Sequence, residues 1–308
     1  MLRDKKKVAA FGILGICVVS ALVGIAFIPS SPVDGFSSGG GKIAVIRIEG
    51  AITGSSGLGI LSSGTSSTEI ARQIKRAGED PSVNAVVLRI NSPGGSAASS
   101  QELYQEVLKV RENGKVVVAS MGDSATSGGY YVACGADKII ANPGTITGSI
   151  GVIFSQLQYS ELMEKYGVEA NVIKSGEYKD IGSPYRNMTE EDREVLQNMV
   201  DDIYNQFVNA VVEGRNMNRS KVLELADGKI FTGRQAQEKG LVDELGNYQD
   251  SIQMAADMAG VDKPQVVEYG RTTPFESFLG LFGREIGHGL AQTFLKTSEQ
   301  ETKFDQLI

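Results

Sequence analysis

The stretch "GDSATSGGYYVACGAD", residues 122–137, gathers three aliphatic hydroxyls, on Ser124, Thr126 and Ser127, ahead of two glycines and a pair of tyrosines. Of the three, only Ser127 is followed directly by glycines, Gly128 and Gly129, which let a substrate backbone approach closely. Where a helix starts after a strand, its first backbone N–H groups are unpaired and point outward. The Gly128 amide is then available to an oxyanion. The same residues also suit a glycine-rich N-cap turn that does no chemistry. A second small-residue loop, "RINSPGGSAASS" at 89–100, ends the preceding strand. Asn91, Ser92 and Pro93 make a turn, and Gly94 and Gly95 open a helix with adjacent amides of the kind that cradle an anion. Taken alone, a structural turn between strand and helix looks the same.

A serine nucleophile needs a base. The chain has a single histidine, His288. It lies far along the sequence from these loops, in an amphipathic stretch, which argues against a Ser-His-Asp arrangement. Common His/Cys zinc sites lack ligands, and no G-x-x-x-x-G-K-[ST] loop is present. A lysine can take the proton if burial disfavours its charged form. Its ordinary pKa of ~10.4 must then fall by about three units, roughly 4 kcal/mol. Such a base belongs among apolar or small residues, away from a carboxylate partner.

The elements that would position these loops alternate. Strands are expected at 42–50, 84–90, 115–120, 138–141 and 170–176. Helices are expected at 67–77, 97–113 and 189–214. Ser66 and Glu69 are spaced as a capping box for the first helix. Thr189 is the N-cap of the third, with acids in its first turn. This alternation predicts a mostly parallel α/β sheet with its site at the strand C-terminal ends.

The 308 residues are 22% charged and 41% hydrophobic, an ordinary globular composition, and the net charge of -7 disfavours a nucleic-acid partner. Cys17 and Cys134 each sit in apolar runs and read as small buried hydrophobes rather than a disulfide framework. Residues 8–28 form a run of 21 residues without a charge. As a helix this run is roughly 31 Å long, enough to cross a bilayer core. Arg3, Lys5, Lys6 and Lys7 precede it, so residues 1–7 are expected in the cytoplasm and residues 30–308 outside. The stretch 29–41 reads as a Pro/Ser/Gly linker and 54–67 as a mobile loop. The main domain is assigned to 42–262, followed at 263–296 by a strand and an amphipathic helix. A disordered tail is expected at 297–308.

In order, "RINSPGG", "SGGYYVA", "ANPGTITGSIGV", "KSGEYKDIGSPYR" and "IFTGRQAQEKGLVDELG" resemble the bacterial signal peptide peptidase SppA family over about residues 42–260. The resemblance implies a membrane-anchored, single-repeat Ser/Lys serine peptidase. Its implied fold is Clp/crotonase-like, an α/β parallel sheet flanked by helices and preceded by one transmembrane helix. It assigns Ser127 as nucleophile and Lys179 as general base, with Lys174 the nearby rival. It makes the amides of Gly95 and Gly128 the oxyanion hole and has Ser149 orient the lysine. No cofactor or metal is implied. The implied partners are remnant signal peptides and further copies of the chain, in a ring whose sites draw serine and lysine from adjacent subunits. Two other readings stand beside this one: a related Ser/Lys protease dedicated to one membrane-protein partner, and a non-catalytic membrane-anchored scaffold.

Overall fold

The computed structural model describes residues 41–54 and 65–270. The expected anchor at 8–28, nearly all of the linker, most of the 54–67 loop, and the amphipathic stretch with His288 lie outside the described residues. Among the described residues, no helix is long and apolar enough to cross a membrane.

The longest apolar runs become the central strands. β1 (Lys42–Glu49), β4 (Val83–Ser92), β5 (Val116–Thr126) and β6 (Lys138–Ala141) lie side by side and parallel. Their side chains are buried on both faces, which explains why they read as near-continuous rather than alternating hydrophobic runs. On one face Ala44, Ile46, Ile48, Val86 and Leu88 meet α1 (Ser67–Glu79), α2 (Ala97–Glu112), α3 (Gly128–Ala133) and the second half of α5 (Glu190–Arg215). On the other, Ile43, Val45, Ala85, Val87 and Val118 meet α8 (Tyr248–Met258) through Ile252, Ala255 and Ala256. Each fully buried Ile or Val contributes about 1.5–3 kcal/mol of transfer free energy.

The eight-stranded sheet runs β10-β1-β4-β5-β6-β9, with β10 (Gln265–Tyr269) and β9 (Glu244–Leu245) parallel to their neighbours. The expected strand after residue 262 is β10, and it joins this sheet beside β1. Beyond β6, β7 (Ile146–Gly148) pairs parallel to the end of β5 and antiparallel to β8 (Ile230–Thr232). A separate two-stranded pair joins β2 (Ile52–Thr53) and β3 (Thr65–Ser66). Three short helices complete the described chain: α4 (Ser160–Lys165), α6 (Arg219–Leu225) and α7 (Gly233–Glu238).

Three local expectations change. The strand read as 115–120 continues to Thr126, because β7 pairs with its extension. Ser66 is the N-cap of α1 but makes no side-chain cap bond, so the Ser66/Glu69 box does not form. Glu69 instead pairs with Arg72. Residues 170–176 form no strand, since none of the described strands pairs with them and their side chains are exposed. By contrast, Thr189 caps α5 through a full capping box with Asp192.

Candidate active site

β4 and β5 are parallel neighbours, so the loops at their C-terminal ends lie together. Ser92 ends β4, and its Oγ donates to the Gly50 carbonyl at 2.6 Å and accepts from the Gly94 N–H at 3.1 Å. The loop is further stitched to β2, where the Ile52 N–H donates to the Gly94 carbonyl and the Ser96 N–H to the Ile52 carbonyl, both at 2.9 Å. Gly95 lies between these two bonds, and its own N–H has no acceptor among the described residues.

Ser127 follows β5 directly and is the N-cap of α3, with φ 50 and ψ -120. That conformation costs an L-residue roughly 1–3 kcal/mol, and it persists because the surroundings hold it. The Ser127 N–H donates to the Gly148 carbonyl at 2.9 Å, and its carbonyl accepts from the Tyr131 N–H at 2.9 Å. Its Oγ makes no cap bond. Ser124 and Thr126 are turned to other uses: the Ser124 hydroxyl lies 3.4 Å from the Ser92 carbonyl, and Thr126 is buried.

Gly94 has φ 101, and a Cβ on it would lie 2.8 Å from both the Gly128 nitrogen and the Ser127 Cβ. A Cβ on Gly128 would lie 2.2 Å from the Ser100 hydroxyl and 3.3 Å from the Gly95 nitrogen. Only glycine permits this approach of the two loops. It brings the Gly95 and Gly128 N–H groups together beside Ser127, and Gly128, as the first residue of a helix, has no intrahelical acceptor.

One cavity of about 810 Å³ receives these groups. Ser127, Gly95, Gly128 and Ser149 all line it, with Phe207 and Tyr131 on an apolar wall. The Tyr131 and Phe207 rings are 4.7 Å apart, and Tyr104 meets Tyr131 edge-on at 5.3 Å. Ser149 also has positive φ, 52, and its N–H donates to the Lys229 carbonyl at 2.8 Å. Cys134 is buried behind the site, and burial pushes its thiol up to about 12, so it is no rival nucleophile.

Lys179 stands apart. It lies in a 3₁₀ turn, Glu177–Asp180, is exposed, and is not among the cavity's lining residues. The structure therefore gathers four of the five expected site residues and leaves the lysine outside. The turn belongs to a segment, 151–189, whose apolar side chains are widely exposed, including Ile153, Leu157, Tyr166 and Ile173. Lys174, the rival base, is tied to Asp180 at 2.8 Å. The turn at Asn91, Ser92 and Pro93 is legible in the sequence, but the Ser92 hydroxyl's bonds to the Gly50 carbonyl and from the Gly94 N–H, and the Ser100 hydroxyl's bond to the Ser96 carbonyl, are not.

Residues 109–262 match the model of peptidase family S49. A Synechocystis sp. protein that carries a provisional protease name, slr0021, is 47% identical over 73% of this chain and 77% of its own length. An Enterococcus faecium protein provisionally named signal peptide peptidase SppA is 43% identical over 67% of this chain and 60% of its own. Protease 4 of Haemophilus influenzae is 34% identical over 74% of this chain but only 36% of its own length. With this match and these relatives, the strained serine beside two unpaired amides has its setting: the chain belongs to peptidase family S49, the SppA-type serine peptidases.

Proposed function

We propose that the protein is a membrane-anchored endopeptidase that degrades remnant signal peptides by Ser/Lys acyl-enzyme catalysis on the extracytoplasmic face. The observation that carries the reading is Ser127 itself. This serine, on a strained turn, lines a cavity that two unpaired N–H groups, of Gly95 and Gly128, also border.

In the reaction, Ser127 Oγ attacks a scissile peptide carbonyl and passes its proton to neutral Lys179. The carbonyl oxygen becomes an oxyanion held by the Gly95 and Gly128 amides. One such donor contributes about 2.7–4 kcal/mol to the transition state. As the C–N bond breaks, Lys179 returns the proton to the leaving amine. It then takes a proton from water as the water oxygen attacks the ester, and it passes that proton to Ser127 Oγ as the ester C–O bond breaks, which frees the serine, the neutral lysine and the acid product. Ser149 holds the lysine nitrogen in line. The apolar wall at Tyr131 and Phe207 suits the apolar core of a signal peptide.

The exposed position of Lys179 favours a ring of copies in which the lysine of one subunit serves the serine of the next. The apolar side chains exposed along 151–189 give such copies a surface to bury. The charge-free run at 8–28 would keep the ring beside its membrane-borne substrates.

Lys179→Arg tests the base, since arginine keeps the charge but does not release its proton. The expected result is an assembled protein without turnover on signal-peptide substrates at any pH. Labelling by a serine-reactive phosphonate is expected in the wild type and should disappear in Ser127→Ala. Turnover by Lys179→Arg at the wild-type rate would refute the reading.

A further inference from the structure

The turn that carries Lys179 also carries two acids, Glu177 and Asp180. A bare carboxylate so close would hold a lysine in its charged form, against the needs of a base. Asp180 is not bare. Its Oδ1 accepts from Lys174 Nζ at 2.8 Å and from Arg186 Nη2 at 3.1 Å. The two cations come from opposite sides of the turn in sequence. Lys174 also donates to the Glu177 carbonyl at 2.8 Å, which fastens the start of the turn.

Arg186 continues to α5. Its Nη2 also donates to Asp192 Oδ1 at 3.1 Å, and its Nη1 to Asp192 Oδ2. Asp192 is the buried capping-box residue of that helix and accepts the Thr189 N–H at 3.1 Å. The turn is thereby fastened to the start of the longest described helix. Arg186, then Lys174, hold the Asp180 carboxyl down to about 2, so it stays ionised and paired at neutral pH. Around the turn stand Glu177 and Tyr178 on it, Lys174 before it, Arg186 and Tyr185 after it, and Asp192 on α5. The two cations balance Asp180 and Asp192. Lys179 itself has no hydrogen bond or ion pair through its side chain among the described residues.

We propose that Lys174 and Arg186 act as positioning residues that occupy Asp180, so that the turn presents the Lys179 amine without a carboxylate partner. The inference rests on the Ser127/Lys179 reading above. It also accounts for the first lysine of "KSGEYKD", because Lys174 neutralises the acid that would otherwise disable its neighbour.

The test is the pH profile of kcat/KM of the intact, assembled protein on an internally quenched apolar peptide. Lys174→Gln and Arg186→Gln should each move the acidic limb upward by about 0.5–1 pH unit, a ~3- to 10-fold loss below the limb with the high-pH plateau retained. Adding Asp180→Asn to either variant should return the limb to its wild-type position, and Arg186→Lys should leave it there. Should Arg186→Gln fail to assemble because Asp192 loses its partner, Lys174→Gln, which leaves Asp192 paired, carries the test. A fall that is uniform in pH, or a limb shift that Asp180→Asn does not relieve, overturns the proposal. Lys179→Ala run alongside separates the two ideas. If it is inactive while Lys174→Gln keeps the wild-type limb, only the positioning role falls; if it is active, the dyad reading and this one fall together.

Discussion

The Ser127 N–H donates to the carbonyl of Gly148 at 2.9 Å. This bond ties the end of β5 to β7 at the residue where the chain must turn into α3. It uses the serine's own amide, so the N–H groups bordering the cavity are those of Gly128 and, across the loop, Gly95. It also brings Ser149, the residue after Gly148, to the same cavity. One backbone bond thus arranges a hydroxyl, an amide and a second serine.

The strain at Ser127 is measurable. Both Ser127→Ala and Ser127→Gly should lose turnover by at least about 10⁴-fold. They should differ in stability, because glycine adopts φ 50, ψ -120 without the Cβ penalty that alanine keeps. Ser127→Gly is expected to exceed Ser127→Ala by about 1–2 kcal/mol, visible as a melting midpoint several degrees higher. Equal midpoints would mean that the turn relaxes once the hydroxyl is gone.

Subunit sharing of the site has its own test. Ser127→Ala and Lys179→Ala chains, each expected to be inactive alone, should regain part of the wild-type activity when unfolded and reassembled together if serine and lysine come from different copies. In an equal, random mixture each site needs an intact serine from one subunit and an intact lysine from the next. Recovery of roughly a quarter is then the statistical expectation. Mixed assemblies as inactive as either parent would place both residues of the dyad in one chain.

A buried ion pair predicts the acid limit of stability. Arg215 Nη1 lies 2.8 Å from Asp243 Oδ2, with only 6% of the arginine side chain exposed. The same carboxylate accepts the Ile139 N–H at 2.8 Å. Burial alone would raise the Asp243 carboxyl; Arg215 and the Ile139 amide outweigh it and hold it below its ordinary value. Asp80, Asp180 and Asp192 are each lowered to about 2, by Ser82 in the first case and Arg186 in the others. A carboxyl depressed on folding contributes stability above its unfolded pKa, near 4, and loses it as pH falls through the folded value. Urea midpoints should therefore hold from pH 7 to about 5 and fall between about 4 and 2. Asp243→Asn should cost about 3 kcal/mol at pH 7, since it leaves a buried guanidinium unpaired, and should flatten the acid limb. A variant as stable as wild type would show that water solvates Arg215.

The sequence by itself determined the central strands, the long capped helix and the two small-residue loops. Those features are local: an apolar run buried on both faces, or Thr189 three residues before Asp192, carries its own instruction. The ordered motifs also carried the family. What depended on partners was not legible in this way. Residues 170–176 have the composition of a strand but find no strand to pair with, and Ser66 caps a helix without the side-chain bond its spacing allows. Only the tertiary structure decided that Gly95 and Gly128 meet beside Ser127, because that approach depends on β4 and β5 being parallel neighbours and on Gly94 lacking a Cβ. Only it revealed that Lys174 is bound to Asp180 and that Lys179 stands exposed outside the cavity. The reason is physical: a residue's type and neighbours set which bonds it is able to make, while the fold sets which partners come within reach.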